Sequence, residues 1–306
     1  MRKFILGIYF LCTFSFAISQ NNQHKTSLQD ALAEPENAKR LDLSCSDVSK
    51  FEKNTNQLAH IEALYLTDCN LKTLPSGMEN LPNLKLLNLQ NNSLSSLPTQ
   101  LNKISSLSVI NLRENEFIEF PNVLTQLSNL REIDLSHNNQ LDFLATIVAL
   151  SKIKKLDFLY LSGNTLSSLP IEMESLEALE ELHLSDNPSL DLKNIFTVLS
   201  RLKSLKILVL DNNNLSSIVS EIKLMTQLNG LVLDSNPDIK IQELIDHIGH
   251  LPEMKVLLLR KNGLKKLPKN LDGLAALEVL ELSSNDFSEN EKKRIKSVLP
   301  NTNVVF

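Results

Sequence analysis

Leucine recurs along this chain at a fixed spacing, with polar side chains filling the places between. Aligned on Leu-x-x-Leu-x-Leu-x-x-Asn, one copy runs Leu84, Leu87, Leu89 and Asn92, then Leu94, Leu97 and Pro98. Another runs Leu156, Leu159, Leu161 and Asn164, then Leu166, Leu169 and Pro170. First positions fall at Ala38, Ile61, Leu84, Leu107, Leu130, Leu156, Leu179, Leu205, Leu228, Met254 and Leu277, which makes eleven repeats in steps of 23 or 26 residues. Around the fourth to sixth positions the alternation has period two, which predicts one short strand per repeat. Positions one, four and six then point inward, and positions two, three, five, seven and eight outward. One repeat cannot bury its leucines alone, but stacked neighbours can. The Asn slot holds Ser46, Cys69, Asn92, Asn115, Asn138, Asn164, Asn187, Asn213, Asn236, Asn262 and Asn285. An amide both donates and accepts, so a ladder of them can satisfy backbone groups that the turn leaves without partners.

Three repeats are longer and begin Asn138-Asn139-Gln140, Asn187-Pro188-Ser189 and Asn236-Pro237-Asp238. They lack the Leu-Pro and show helical spacing instead: Leu144, Ile147, Ile153; Ile195, Val198, Leu202; Leu244, Ile248, Leu251. Helices are predicted there, with 3₁₀ or extended returns in the short repeats. A short helix is expected over Ser27–Glu34, started by Thr26-x-x-Gln29 or Ser27-x-x-Asp30. Ser288-x-x-Glu291 reads as a capping box opening a helix through Ile295 and Val298. That helix stops at Pro300-Asn301, and Val304-Val305-Phe306 can add a last strand. Both ends of the stack are thus expected to be closed, with no further domain, span or anchoring tail.

These motifs resemble the leucine-rich repeat family, in its short 23-residue form with Leu-Pro after the turn, and are similar to secreted bacterial members. The resemblance implies an α/β horseshoe solenoid with a parallel concave sheet, a mixed 3₁₀ and helical convex side, and a helical cap at each end. It also implies that the concave face recognises proteins. The organisation expected is a signal peptide at 1–19, an N-terminal cap at 20–37, repeats at 38–287 and a helix–strand cap at 288–306.

The leader reading comes from Met1-Arg2-Lys3, an uncharged run from Phe4 to Phe16, and small residues before a cut after Ser19. A secreted or periplasmic location follows, with no membrane span after cleavage. Composition agrees with a repeated short unit, since 62 Leu and 32 Asn stand against 7 Gly and no Trp. With 31 basic and 36 acidic side chains, the chain lacks the basic surplus of a nucleic-acid binder.

Chemistry is sparse. No phosphate loop, nucleophile elbow or metalloprotease helix is present, so no cofactor, metal or catalytic residue is expected. His247 and His250 beside Asp246 could hold a metal weakly, but a solvated helix face is the plainer reading. Asp211 and Asp234 fill one slot of adjacent repeats, with carboxylates about 5 Å apart, the spacing of a retaining glycosidase. An open sheet offers no cleft to raise one pKa. Cys69 fills an inward slot and Cys45 sits one position earlier in its repeat, so opposed directions weigh against a disulfide.

Binding is expected on the outward strand positions of repeats six to eleven. Asn88, Gln90, Asn91, Asn111, Arg113, Glu114, Asp134 and His137 read as a wet polar surface in repeats three to five. The character changes at Phe158, Tyr160 and His183. Beyond them Ile207, Val209, Val232, Val256, Leu258 and Val279 form an apolar stripe around Gly230, expected to expose about 300–500 Å². Asp211, Asp234 and Arg260 lie on its rim. Substitutions such as Val232→Asp are then expected to spare the fold. The expected partner is a protein or peptide carrying a basic residue to meet Asp211 and Asp234. Alternatives are a self-associating envelope protein and, less favoured, an enzyme of surface polysaccharide.

Overall fold

The computed structural model describes residues 27–306; the leader and its cleavage site lie outside the described residues. Two compact parts are present, one running to Leu135 and one spanning Ser136–Phe306. The first part contains α1 (Leu28–Ala33), β1 (Arg40–Asp42), α2 (Val48–Glu52), β2 (Ala63–Tyr65), β3 (Leu86–Asn88), β4 (Val109–Asn111) and β5 (Glu132–Asp134). Its strands pair in parallel in chain order, each one repeat further on. Ser27 opens α1 by accepting from the Asp30 N–H at 3.2 Å.

The second part runs α3 (Phe143–Leu150), β6 (Phe158–Tyr160), β7 (Glu181–His183), α4 (Leu192–Leu199), β8 (Ile207–Val209), β9 (Gly230–Val232) and α5 (Ile241–Ile248). It continues with β10 (Val256–Leu258), β11 (Val279–Glu281), α6 (Glu289–Val298) and β12 (Asn303–Val305). Strands β6 to β12 are again parallel and sequential. The middle residue of each strand faces the core: Leu159, Leu182, Leu208, Leu231, Leu257 and Leu280 are fully buried. That is the inward fourth position, so the repeat alignment and the strand register agree.

Return segments follow repeat length. Short repeats come back through 3₁₀ turns, such as Thr99–Lys103, Asn122–Gln126, Ile171–Ser175 and Ser220–Leu224. The three extra residues of each long repeat allow α3, α4 and α5. Asp142 and Asp191 cap the first two through their side chains. Ile147 is buried as its spacing predicts, but Leu144 is 52% exposed and belongs to the other side of α3. At the far end, Ser288 accepts from the Glu291 N–H at 3.3 Å. Glu291 does not complete a capping box: it accepts from the Leu267 N–H and grips Arg294, which also reaches the carbonyls of Leu267 and Pro268. The cap is thereby tied to the eleventh repeat's neighbour in sequence, the tenth.

The Asn ladder works through both its donor and its acceptor. Asn187 donates to the carbonyls of Leu161 and Leu184 at 3.2 and 3.1 Å. Its oxygen accepts from the N–H groups of Asn164 and Leu166 at 3.0 and 2.9 Å. Asn92, Asn236 and Asn285 repeat this pattern. Just before each slot the chain turns left-handed, at Asp68, Asn91, Glu114, His137, Gly163, Asp186, Asn212, Ser235, Lys261 and Ser284, with φ between 51° and 63°. Such a φ is costly for a residue with a Cβ, and the ladder's hydrogen bonds offset that cost.

The first repeat departs from this turn, and the departure reverses one expectation. Its equivalent residue, Cys45, opens a 3₁₀ turn over Cys45–Asp47. The outward direction inferred from the other repeats does not apply there. Cys45 and Cys69 come within 5.2 Å at their Cα atoms and form a disulfide.

Candidate binding face of the second part

Three outward positions per repeat build the candidate face in β6 to β11. Position three reads Phe158, Glu181, Ile207, Gly230, Val256, Val279, and position five reads Tyr160, His183, Val209, Val232, Leu258, Glu281. Strand register sets these residues side by side, with Tyr160 beside His183, His183 beside Val209, Val209 beside Val232 and Val232 beside Leu258. Position seven, just past each strand, supplies Asp211, Asp234 and Arg260.

At one pole, the Tyr160 and His183 rings stack with centroids 4.2 Å apart. His183 Nε2 lies 2.6 Å from Glu181 Oε1. Phe158 and Tyr160 are both half-buried, so each keeps part of its ring in solvent. Glu181 was not among the residues singled out from the sequence. It holds the same third position as the apolar residues, and the repeat alignment alone could have found it.

At the other pole a ladder of carboxylates and amides runs along position seven. The Asp234 N–H donates to Asp211 Oδ1 at 3.2 Å. The Arg260 N–H donates to Asp234 Oδ1 at 2.6 Å, and its Nε to Asp234 Oδ2 at 2.5 Å. The basic group expected from a partner at Asp234 is therefore supplied by this chain's own Arg260. Burial, followed by the charge of Asp234, raises the Asp211 pKa to about 7. Burial also raises that of Asp234, against the opposing hydrogen bonds and charge of Arg260. The expectation that nothing on an open sheet raises either pKa thus fails.

Between the poles the apolar stripe is present but closed. Ile207 is 8% exposed, Val256 4% and Val232 1%, and Val209, Leu258 and Val279 are buried with them. Parallel strands stand about 4.8 Å apart, so branched side chains in one row cover each other's flanks. The stripe is a lateral ladder of packed side chains, and the expected 300–500 Å² of open apolar surface is absent.

Nor is the first part's outer face uniformly polar. Ala63, Leu86 and Val109 make a buried cluster with Tyr65 against it. The Arg40 guanidinium lies 4.1 Å from the Tyr65 ring centre. Asn88 and Asn111 are buried, their oxygens accepting from the N–H groups of Gln90 and Arg113. Apolar residues at position three are therefore shared by both parts, as is an aromatic ring beside charge, and what the second adds is the row of Asp211, Asp234 and Arg260 along position seven. Away from the face, the His250 ring meets the Asp246 carbonyl at 2.9 Å. Among the described residues no group of three metal-ligating side chains forms. No helix among them is long and apolar enough to cross a membrane.

The family model for leucine-rich repeats matches residues 59–117, 82–141 and 128–188. Those residues are leucine-rich repeats, and the same strand-and-return unit continues on either side of them. Comparison with curated proteins by sequence gives no match. Among solved structures, an internalin from Listeria monocytogenes is similar at 19% identity and TM-score 0.55, with 86% of this chain and 87% of the internalin covered. The TLR13–ssRNA13 complex is similar at 25% identity and TM-score 0.61, over 84% of this chain and 37% of that one. A Leptospira interrogans leucine-rich repeat protein gives 22% identity and TM-score 0.39, with 92% of this chain and all of that one covered. Leucine-rich repeat proteins generally bind proteins or other ligands, and are typically scaffolds without catalysis.

Proposed function

We propose that this leucine-rich repeat protein works outside the cytoplasm as a non-catalytic binding protein, using the outer strand face of β6 to β11. The carrying observation is the pairing of half-exposed Phe158 and Tyr160 with the charged row of Asp211, Asp234, Arg260 and Glu281. Aromatic side chains and arginine are enriched where proteins meet, and charge around them sets orientation and choice of partner. The partner is a protein or peptide that places a basic group against Asp211, the carboxylate that Arg260 does not grip directly. The basic start and uncharged run of the leader support export, as does a disulfide, which persists in oxidising compartments.

Catalysis is not the favoured reading of the two aspartates. Asp211 accepts from a backbone N–H and both oxygens of Asp234 are held by Arg260, so both groups are engaged in the wall itself. RNA, bound by the TLR13 neighbour, suits this chain poorly, since its net charge is −5.

Affinity capture from the native cell envelope tests the proposal, with wild type, Tyr160→Ala and Asp211→Asn as parallel baits. A partner retained by wild type and lost from both variants at undiminished thermal stability is the expected result. A partner held equally by all three would move the site elsewhere.

A further inference from the structure

Helices α3, α4 and α5 hold the same place in the three longer repeats, so their outward residues compare directly. Six residues after the ladder Asn stand Leu144, Lys193 and Gln242; ten after it stand Val148, Thr197 and Asp246. The last two helices follow the ordinary rule of a polar outer face. On α3 the outer positions are apolar, with Leu144 52% and Val148 45% exposed. The 3₁₀ turn Ile171–Ser175 packs beside α3 and adds Ile171, 43% exposed. Next to them lies a groove of about 380 Å³ of mixed character, with Leu141, Phe143, Leu144, Leu166 and Pro170 facing Asn139, Thr165, Ser167 and Ser168. Scattered apolar side chains on a surface need no explanation, but three gathered on one helix and the turn packed beside it do.

Charge around this patch is divided by end. Asp142 and Glu172 flank the side where α3 begins; Lys152 and Lys154 follow its last turn, beside Glu177 and a Glu174 that is paired with Arg201, which leaves that end basic on balance. A second copy laid antiparallel across α3 brings each acidic end against a basic one; a parallel copy would bring like charges together. A two-fold contact also needs both a protrusion and a recess on one surface, and the exposed side chains beside the groove provide them.

We propose that α3 is a self-association surface, occupied by α3 of a second copy of this chain in antiparallel two-fold contact. It is separate from the strand face of β6 to β11, so a dimer keeps that face available. The exposed apolar core is small compared with that of permanent dimers, which places the association in the weak, concentration-dependent range.

Sedimentation equilibrium of the purified protein from about 1 μM to about 500 μM reads the association directly. Wild type is expected to pass from monomer to dimer within that range. The double variant L144K/V148T gives α3 the residues that α4 carries at the same places. It is expected to stay monomeric with unchanged circular dichroism and Tm. K152E/K154E and E172K are each expected to weaken the dimer at least tenfold, and an equimolar mixture of the two to restore it. A wild type that remains monomeric throughout, whether or not another protein covers the helix, overturns the proposal. So does a dimer that survives L144K/V148T, or charge variants whose mixture associates no better than either alone.

Discussion

Arg260 holds Asp234 at both carboxylate oxygens, with its own backbone N–H on Oδ1 and its side-chain Nε on Oδ2. Asp234 is 5% exposed, while the guanidinium is much more open to water. Removing the side chain therefore strips a nearly buried carboxylate of its counter-charge and of one of these two hydrogen bonds. Arg260→Ala is expected to lower stability by about 2–4 kcal/mol near pH 7, in the range for an orphaned buried charge. Asp234→Asn in the same background should return part of that loss, because the amide oxygen still accepts from the backbone N–H. Urea unfolding of the two single variants and the double variant checks the coupling; strictly additive losses would remove the ion pair from the account.

Asp211 carries the opposite linkage from a salt-bridged carboxylate. Its folded pKa of about 7 lies above the ordinary carboxylate value of 3.8. The folded state thus holds a proton that the unfolded chain releases first, and stability falls as pH rises from about 4 to about 7. Asp211→Asn removes this slope and still accepts from the Asp234 N–H. The variant should be more stable than wild type at pH 8 by about 1–2 kcal/mol, discounted for partial exposure, and nearly equal to it at pH 4. Denaturation curves at the two pH values decide; equal differences at both would show that Asp211 titrates normally.

How far the sequence reached can be argued from single positions. Leu231 and its equivalents were legible because a periodic apolar slot has one place to go in a stacked solenoid. The Asn ladder was legible because nine slots share a residue whose amide suits one job. The disulfide was not, since Cys45 sits where the first repeat abandons the left-handed turn that every later repeat makes. The closed stripe was missed for another reason. Period-two alternation says which way Val232 points, but only the spacing of neighbouring strands says how completely Val209 and Leu258 cover it.

That coverage changes what substitutions on the outer face do. Leu231→Ala, from a fully buried inward site, should cost about 2–5 kcal/mol through lost burial and cavity formation. Val232 points the other way yet is only 1% exposed. Val232→Asp therefore sets a charge among apolar neighbours on a face that already holds Asp211 and Asp234, and should also cost more than about 2 kcal/mol. Val232→Thr, close in shape and able to keep its hydroxyl near the surface, should cost about 1 kcal/mol or less. Thermal melts of the three variants test the ordering, and a harmless Val232→Asp would mean the stripe opens to solvent after all.

Gly163 is the one glycine among the ten left-handed turn positions, and its neighbour explains why. With φ at +63°, a Cβ added there would lie 2.3 Å from the His137 ring. Two separate costs are then stacked on Gly163→Ala: the backbone strain that the other nine residues also bear, about 1 kcal/mol, and displacement of the imidazole. Truncating the ring removes only the second. Gly163→Ala is expected to cost about 2–3 kcal/mol in the wild-type background and about 1 kcal/mol alongside His137→Ala. The difference is a coupling energy that a double-mutant cycle in urea measures. Equal costs in both backgrounds would falsify the steric account, leaving the glycine as a matter of backbone conformation alone.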